Sequence, residues 1–171
     1  MIYEPAEDSF LIKKYIKYYA EDKKVLDVGT GSGILAKEAL KYAKGVTASD
    51  INRECRLKEI KFVHSDLFEN IKGKFDLIIF NPPYLPRDKR EDEESALSTT
   101  GGKKGYEILE RFINQLKPHL NKDGKALIVF SSLTKKKKVD SIIRNNKLNF
   151  KLLEEKKISN EVLYCYLIFM L

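Results

Sequence analysis

Apolar residues in this chain come in short runs, and polar stretches with a helical period separate them. The runs at residues 24–28, 45–49, 60–64, 75–80, 124–131, 150–157 and 162–170 are rich in Val, Ile, Leu, Phe and Tyr and read as strands. Residues 7–19 place Phe10, Leu11, Tyr15, Ile16 and Tyr19 at helical spacing behind Pro5. Residues 34–40 continue helically from a glycine-rich turn. A third amphipathic stretch, 106–116, stops before Pro118, and 135–147 predicts the last helix. Ser159 and Asn160 read as the turn of a closing hairpin. Strands alternating with helices predict a largely parallel sheet, and the hairpin predicts an antiparallel end.

Composition narrows this little. At 171 residues, with 43% hydrophobic and 33% charged, the chain is expected to form one domain, 1–171, with a sizeable core. No apolar run approaches the ~18 residues of a membrane span and no signal-like start is present, so a cytoplasmic protein is expected. Cys55 and Cys165 form no C-x-x-C pair, which argues against a zinc site and against a disulfide. The formal charge of +7 favours an acidic partner, either nucleic acid or an acidic protein face. Lysine-rich composition also accompanies adaptation to heat, so charge alone does not assign a nucleic-acid substrate. His64 and His119 read as structural or exposed, Lys135 to Lys138 as a solvated face, and Arg90 to Glu94 as a mobile loop rather than a metal site.

Two motifs carry chemistry. Asn81, Pro82, Pro83 and Tyr84 follow the buried run 75–80; prolines cannot continue the strand, so the chain must leave the sheet as a rigid, extended turn. This places the Asn81 side chain and the Pro82 carbonyl at the carboxyl end of a parallel strand, where open α/β sheets bind ligands. Two acceptors side by side match the two donors of a planar NH₂ group, and the Tyr84 ring can stack on a flat substrate.

Upstream, the strand ending Asp27-Val28 runs into Gly29-Thr30-Gly31-Ser32-Gly33, a turn whose glycines allow close approach to a nucleotide-like ligand. The spacing is G-x-G-x-G, with Ile34 where the dinucleotide fingerprint wants glycine, which argues against NAD. Asp50 ends the next strand at the distance expected of a carboxylate on ribose hydroxyls. Asp66 ends a third and can accept from an adenine amino group. A nucleoside site lacking a phosphate-binding lysine motif suggests S-adenosylmethionine.

Together these residues resemble the class I S-adenosylmethionine-dependent methyltransferases, in particular the amino-methylating group with N-P-P-Y. Tyr3-Glu4-Pro5-Ala6-Glu7-Asp8-Ser9-Phe10-Leu11 resembles the opening of the archaeal and eukaryotic HemK-like enzymes, and Thr100-Gly101-Gly102-Lys103-Lys104-Gly105-Tyr106-Glu107 their glycine-rich segment after the clamp. The similarity runs from Ile2 to Phe169. It implies a Rossmann-like fold: a seven-stranded, mostly parallel sheet with an antiparallel terminal hairpin and helices on both faces. It implies methylation of a glutamine side chain in a class I release factor and a small zinc-binding activator protein as partner. Asn81, Pro82, Pro83 and Tyr84 would form the catalytic clamp. Asp27, Gly29, Thr30, Gly31, Gly33, Asp50, Ile51, Asp66, Leu67 and Asn81 would hold the cofactor, with Ser9 near its methionine end. Bacterial relatives carry a helical domain ahead of this core, and none is expected here. Because N-P-P-Y is shared with adenine and cytosine methyltransferases, a nucleobase amine in RNA or DNA stays open as substrate. So does a non-catalytic role as half of a heterodimer.

One departure from the family pattern has a structural consequence. Only fifteen residues separate Asp50 from Asp66, so 52–59 must cross over with at most two helical turns. Ile60, Lys61, Phe62 and Val63 are therefore expected to form an exposed edge strand, a template for strand addition by the activator.

Overall fold

In the computed structural model, which describes residues 5–87 and 99–170, one seven-stranded sheet runs through the molecule. In chain order the elements are α1 (Glu7–Tyr19), β1 (Lys24–Val28), α2 (Ile34–Leu40), β2 (Gly45–Asp50), β3 (Lys61–His64), β4 (Phe75–Phe80), α3 (Glu107–Leu116), β5 (Leu120–Ser131), α4 (Lys136–Asn145), β6 (Leu148–Ile158) and β7 (Glu161–Met170). The sheet order is β3-β2-β1-β4-β5-β7-β6. The first five strands are parallel, and β7 pairs antiparallel with both β5 and β6. The chain builds outward from β1 to β3 and then crosses back to β4. The carboxyl ends of β1 and β4 therefore flank the point where strand order reverses, the position at which such sheets open a crevice.

The central strands are apolar on both faces, and each face is covered by helices. Leu11, Ile12 and Ile16 of α1 and Leu35 and Ala39 of α2 pack on Val25, Leu77, Ile79, Leu127 and Val129. On the other face, Leu109, Phe112, Ile113 and Leu116 of α3 and Val139, Ile142 and Ile143 of α4 pack on Leu26, Ile78, Ala126 and Ile128.

Strand and helix positions follow the apolar pattern, with three instructive departures. Strand β5 begins at Leu120 rather than 124, because Leu120 pairs with Phe75 ahead of a bulge that the polar stretch Asn121 to Gly124 conceals. On α1, Phe10 points to solvent, 52% exposed, while Asp8, Ser9 and Ile12 are buried. The inward face is thus rotated from the one the apolar residues suggest, and it carries two polar side chains. Lys135 to Lys138 is only partly a solvated face: Lys136 pairs with Asp140 beneath the Tyr164 and Tyr166 rings, and Lys138 pairs with Glu110. The Tyr166 hydroxyl is pushed up from its ordinary pKa, first by burial and then by its bond to Asp140. Both histidines have structural partners, His64 on the Ile51 carbonyl and His119 on the Gly73 carbonyl and the Phe68 ring. The acidic run at 90–94 lies outside the described residues.

The short crossover holds one 3-10 turn, Arg53–Cys55, and β3 is an edge of the sheet. Ile60 is not part of that edge: it is buried with Ala36 and Ala48, and the strand proper is Lys61–His64. No helix among the described residues is long and apolar enough to cross a membrane.

Candidate active site

A cavity of about 620 Å³ opens at the carboxyl ends of β1, β2, β3 and β4. Its floor is the turn after β1. Gly29, Gly31 and Gly33 all adopt positive φ there, and a Cβ on Gly33 would stand 2.6 Å from both Leu57 methyl carbons. A side chain at that position is therefore both strained and crowded. Two carboxylates pin the turn. Asp27 Oδ2 accepts from Thr30 Oγ1 (2.7 Å) and from the Ala36 N–H (3.1 Å), joining the turn to α2. Asp50 Oδ2 accepts from the Gly31 N–H (2.9 Å) and its Oδ1 from the Asn52 N–H (2.8 Å). Burial pushes the Asp27 carboxyl up to about 7, against the opposing pull of its bonds to Thr30 and Ala36, and its Oδ1 has no partner among the described residues. The Cys55 thiol, buried beside Asp50, is pushed up to about 12, first by desolvation and then by that carboxylate.

The far wall comes from β4 and the turn after it. Asn81, Pro82, Pro83 and Tyr84 all line the cavity. Asn81 Nδ2 donates to Ser9 Oγ (3.2 Å), which turns the amide so that the buried Oδ1 has no hydrogen-bond partner among the described residues. The Tyr84 hydroxyl donates to Asp8 Oδ2 (3.0 Å), and the Ser9 N–H donates to Asp8 Oδ1 (2.6 Å). The first turn of α1 thus grips the clamp at two points. Behind it, Leu85 exchanges backbone hydrogen bonds with Thr99 and Gly101, and Thr134 Oγ1 donates to the Tyr84 carbonyl. Gly101 has no room for a side chain, since a Cβ would lie 2.7 Å from the Pro83 carbonyl oxygen. The glycine-rich segment is the backbone brace of the clamp.

Of the residues singled out from sequence, Gly29, Thr30, Gly31, Asp50, Ile51, Asp66, Leu67 and the four clamp residues line one cavity. Asp27, Gly33 and Ser9 do not; they stand behind the lining and hold it. Among the lining residues that sequence did not assign to the site are Asp8, Ile108 and Arg111. Asp8 left a usable signal, a carboxylate one turn before Ile12 on the buried side of α1. Arg111 left none, because it sits on the polar face of α3.

With this geometry in view, residues 8–158 match the methyltransferase small domain family. The chain belongs to that family. It is 43% identical over 163 residues to a putative protein N5-glutamine methyltransferase of Methanocaldococcus jannaschii, covering 88% of this chain and 81% of the relative. It is 30% identical to the eRF1 methyltransferase catalytic subunit mtq2 of Schizosaccharomyces pombe, covering 72% and 69%. Its fold superposes on the E. cuniculi Mtq2–Trm112 complex, described as responsible for methylation of the eRF1 translation termination factor, with a TM-score of 0.85, 25% identity and 99% of each chain covered. Within the family these relatives set it on the archaeal and eukaryotic HemK-like branch.

Proposed function

We propose that this protein transfers a methyl group from S-adenosylmethionine to the side-chain amide nitrogen of a glutamine in a class I release factor. The carrying observation is Asn81 Oδ1, a buried acceptor without a partner, aimed by Ser9 and set beside the Pro82 backbone after β4. Such an atom costs stability where it stands, on the order of 1–3 kcal/mol, unless a ligand supplies the donor. An amide NH₂ supplies two.

The residues present fit the cofactor. The glycine turn brings backbone to the cavity floor, the Asp50 carboxylate suits ribose hydroxyls, and Asp66 suits an adenine amino group. Ile51 and Leu67 line the same cavity as its apolar contacts. S-adenosylmethionine, when bound, supplies an electrophilic methyl group on a sulfonium sulfur.

What remains for the protein is to make a poor nucleophile attack. The amide lone pair is delocalised into its carbonyl. Hydrogen bonds from its two N–H groups to Asn81 Oδ1 and the Pro82 carbonyl draw electron density back onto nitrogen and fix its direction of approach. Tyr84, tethered by Asp8, walls the acceptor's planar face. As the nitrogen–carbon bond forms, the nitrogen loses one proton to water at the Pro82 carbonyl, so no histidine is needed.

Strand β3 is where we place the small zinc-binding activator. It is short and at the edge, with Phe62 and Val63 half-buried and Lys61 and His64 facing solvent, so its outer edge is open to another strand. That the E. cuniculi neighbour is a complex of Mtq2 with Trm112 supports a partner protein here. The assay that tests the function offers purified release factor and bulk RNA side by side, with labelled S-adenosylmethionine and with or without the activator. Label in the release factor is expected; label in RNA alone would move the assignment to a nucleobase amine.

A further inference from the structure

The Asp66 carboxylate does not stand alone. Arg111 Nη2, from α3, donates to Asp66 Oδ2 at 2.8 Å, and both side chains line the cavity. The two are partly exposed, at 52% and 37%, so the ion pair adds little to the stability of the fold. Its position explains it better. Asp66 follows β3, and the connection into β3 contains a single 3-10 turn. The loop after β3 is held by Ser65 Oγ, which donates to the Leu67 carbonyl and accepts from the Asn70 N–H, but neither bond reaches the carboxylate. Only Arg111 does so among the described residues. Ile108, one turn earlier on α3, also lines the cavity, so this face of the helix is a wall of the pocket.

We propose that Arg111 is a positioning residue of the cofactor site: it holds the Asp66 carboxylate so that the free Oδ1 is presented to the adenine amino group. The inference rests on the methyltransferase reading above. A surface carboxylate left to itself must be ordered when the ligand arrives, and that entropy is charged against binding. A guanidinium on Oδ2 orders it beforehand. The arrangement substitutes, from the opposite helix layer, for the support that a longer crossover would give the end of β3.

The test measures S-adenosylhomocysteine affinity by calorimetry for the wild type, Arg111→Ala, Arg111→Lys, Asp66→Ala and the double variant Arg111→Ala/Asp66→Ala. Arg111→Ala is expected to raise Kd about 5-fold, and Arg111→Lys to recover part of the loss, since an ammonium keeps the charge but not the planar fork. Asp66→Ala is expected to raise it about 10-fold, and the double variant to match Asp66→Ala alone, because a residue acting through another adds nothing once that partner is gone. Thermal midpoints should stay within about 2 °C throughout, as expected of surface substitutions. An unchanged Kd for Arg111→Ala, or a double-variant loss equal to the product of the single losses, overturns the proposal. Failure of the wild type to bind S-adenosylhomocysteine would instead overturn the function itself.

Discussion

In the half of the cavity proposed for the cofactor, the lining includes the glycine-turn backbone and the carboxylates of Asp50 and Asp66. In the acceptor half it includes the Asn81 and Tyr84 side chains and the Pro82 backbone, and the two side chains are held by other side chains. The glycine turn is tied from behind by Asp27 and Asp50, through four hydrogen bonds to Thr30, Ala36, Gly31 and Asn52. The clamp is tied by Ser9 to Asn81, by Asp8 to the Tyr84 hydroxyl and by Thr134 to the Tyr84 carbonyl. The glycine turn is specified by residues within about twenty positions of what they hold, although Asp66 is held by Arg111 from α3. The clamp needs α1, some seventy positions away, to pack before Asn81 takes its orientation. Cofactor binding should therefore survive damage to the clamp, and catalysis should be the more fragile of the two.

The largest effect expected is on turnover. Asn81→Ala should lower kcat by about 10²-fold or more, the cost of losing an oriented hydrogen-bonding group in the transition state, while S-adenosylmethionine affinity stays close to wild type. Wild-type turnover in that variant would remove the clamp from the mechanism. On the other side, Asp50→Ala should weaken S-adenosylmethionine by about 1.5–3 kcal/mol in calorimetry, partly through lost ligand contacts and partly through release of the Gly31 N–H. Heat with NAD and none with S-adenosylmethionine would break the cofactor assignment.

Asp27 gives a pH signature. Its folded pKa, raised by burial to about 7 from 3.8, means the folded protein keeps a proton that the unfolded chain has already released between those values. This group's contribution to stability therefore falls as pH rises through that window, by up to about 1.4 kcal/mol per pH unit, and levels off above pH 7. Asp27→Asn should flatten that part of the curve in denaturant titrations; an unchanged slope would show that the carboxyl is already ionised. The smallest effect is expected at Ser9→Ala, which frees Asn81 Nδ2: about 1 kcal/mol in kcat/KM for the acceptor, with cofactor affinity unmoved. A loss in cofactor affinity alone would move Ser9 to the other half of the cavity.

The same contrast explains what could be read along the chain. The order of strands and helices and the glycine turn were legible, because apolar runs, glycines and prolines act on their own neighbourhood. Asn81 to Tyr84 was legible for the same reason: prolines end a strand whatever surrounds them. The start of β5 was not, since Leu120 enters the sheet only through its pairing with Phe75 across a bulge. Asp27 was placed in the cofactor site, but its carboxylate is turned back toward Thr30 and Ala36. Phe10 shares the helical spacing of Leu11 and Ile16 yet faces solvent, whereas Asp8 takes an inward position where the Tyr84 hydroxyl gives its carboxylate a partner. Arg111 became visible only once α3 lay beside Asp66. For Leu120, Asp8 and Arg111 a contact across the fold decides the outcome.

The account stands on the claim that the clamp accepts a planar amide. The most direct measurement is the site of methylation, mapped by mass spectrometry on release factor after incubation with the enzyme and S-adenosylmethionine. The expected result is one methyl group on the side-chain nitrogen of a single glutamine, forming far more slowly with the Asn81→Ala variant. A methyl group on a lysine, an arginine or a carboxylate would contradict it, because none of those presents a neutral, planar NH₂ to the two acceptors.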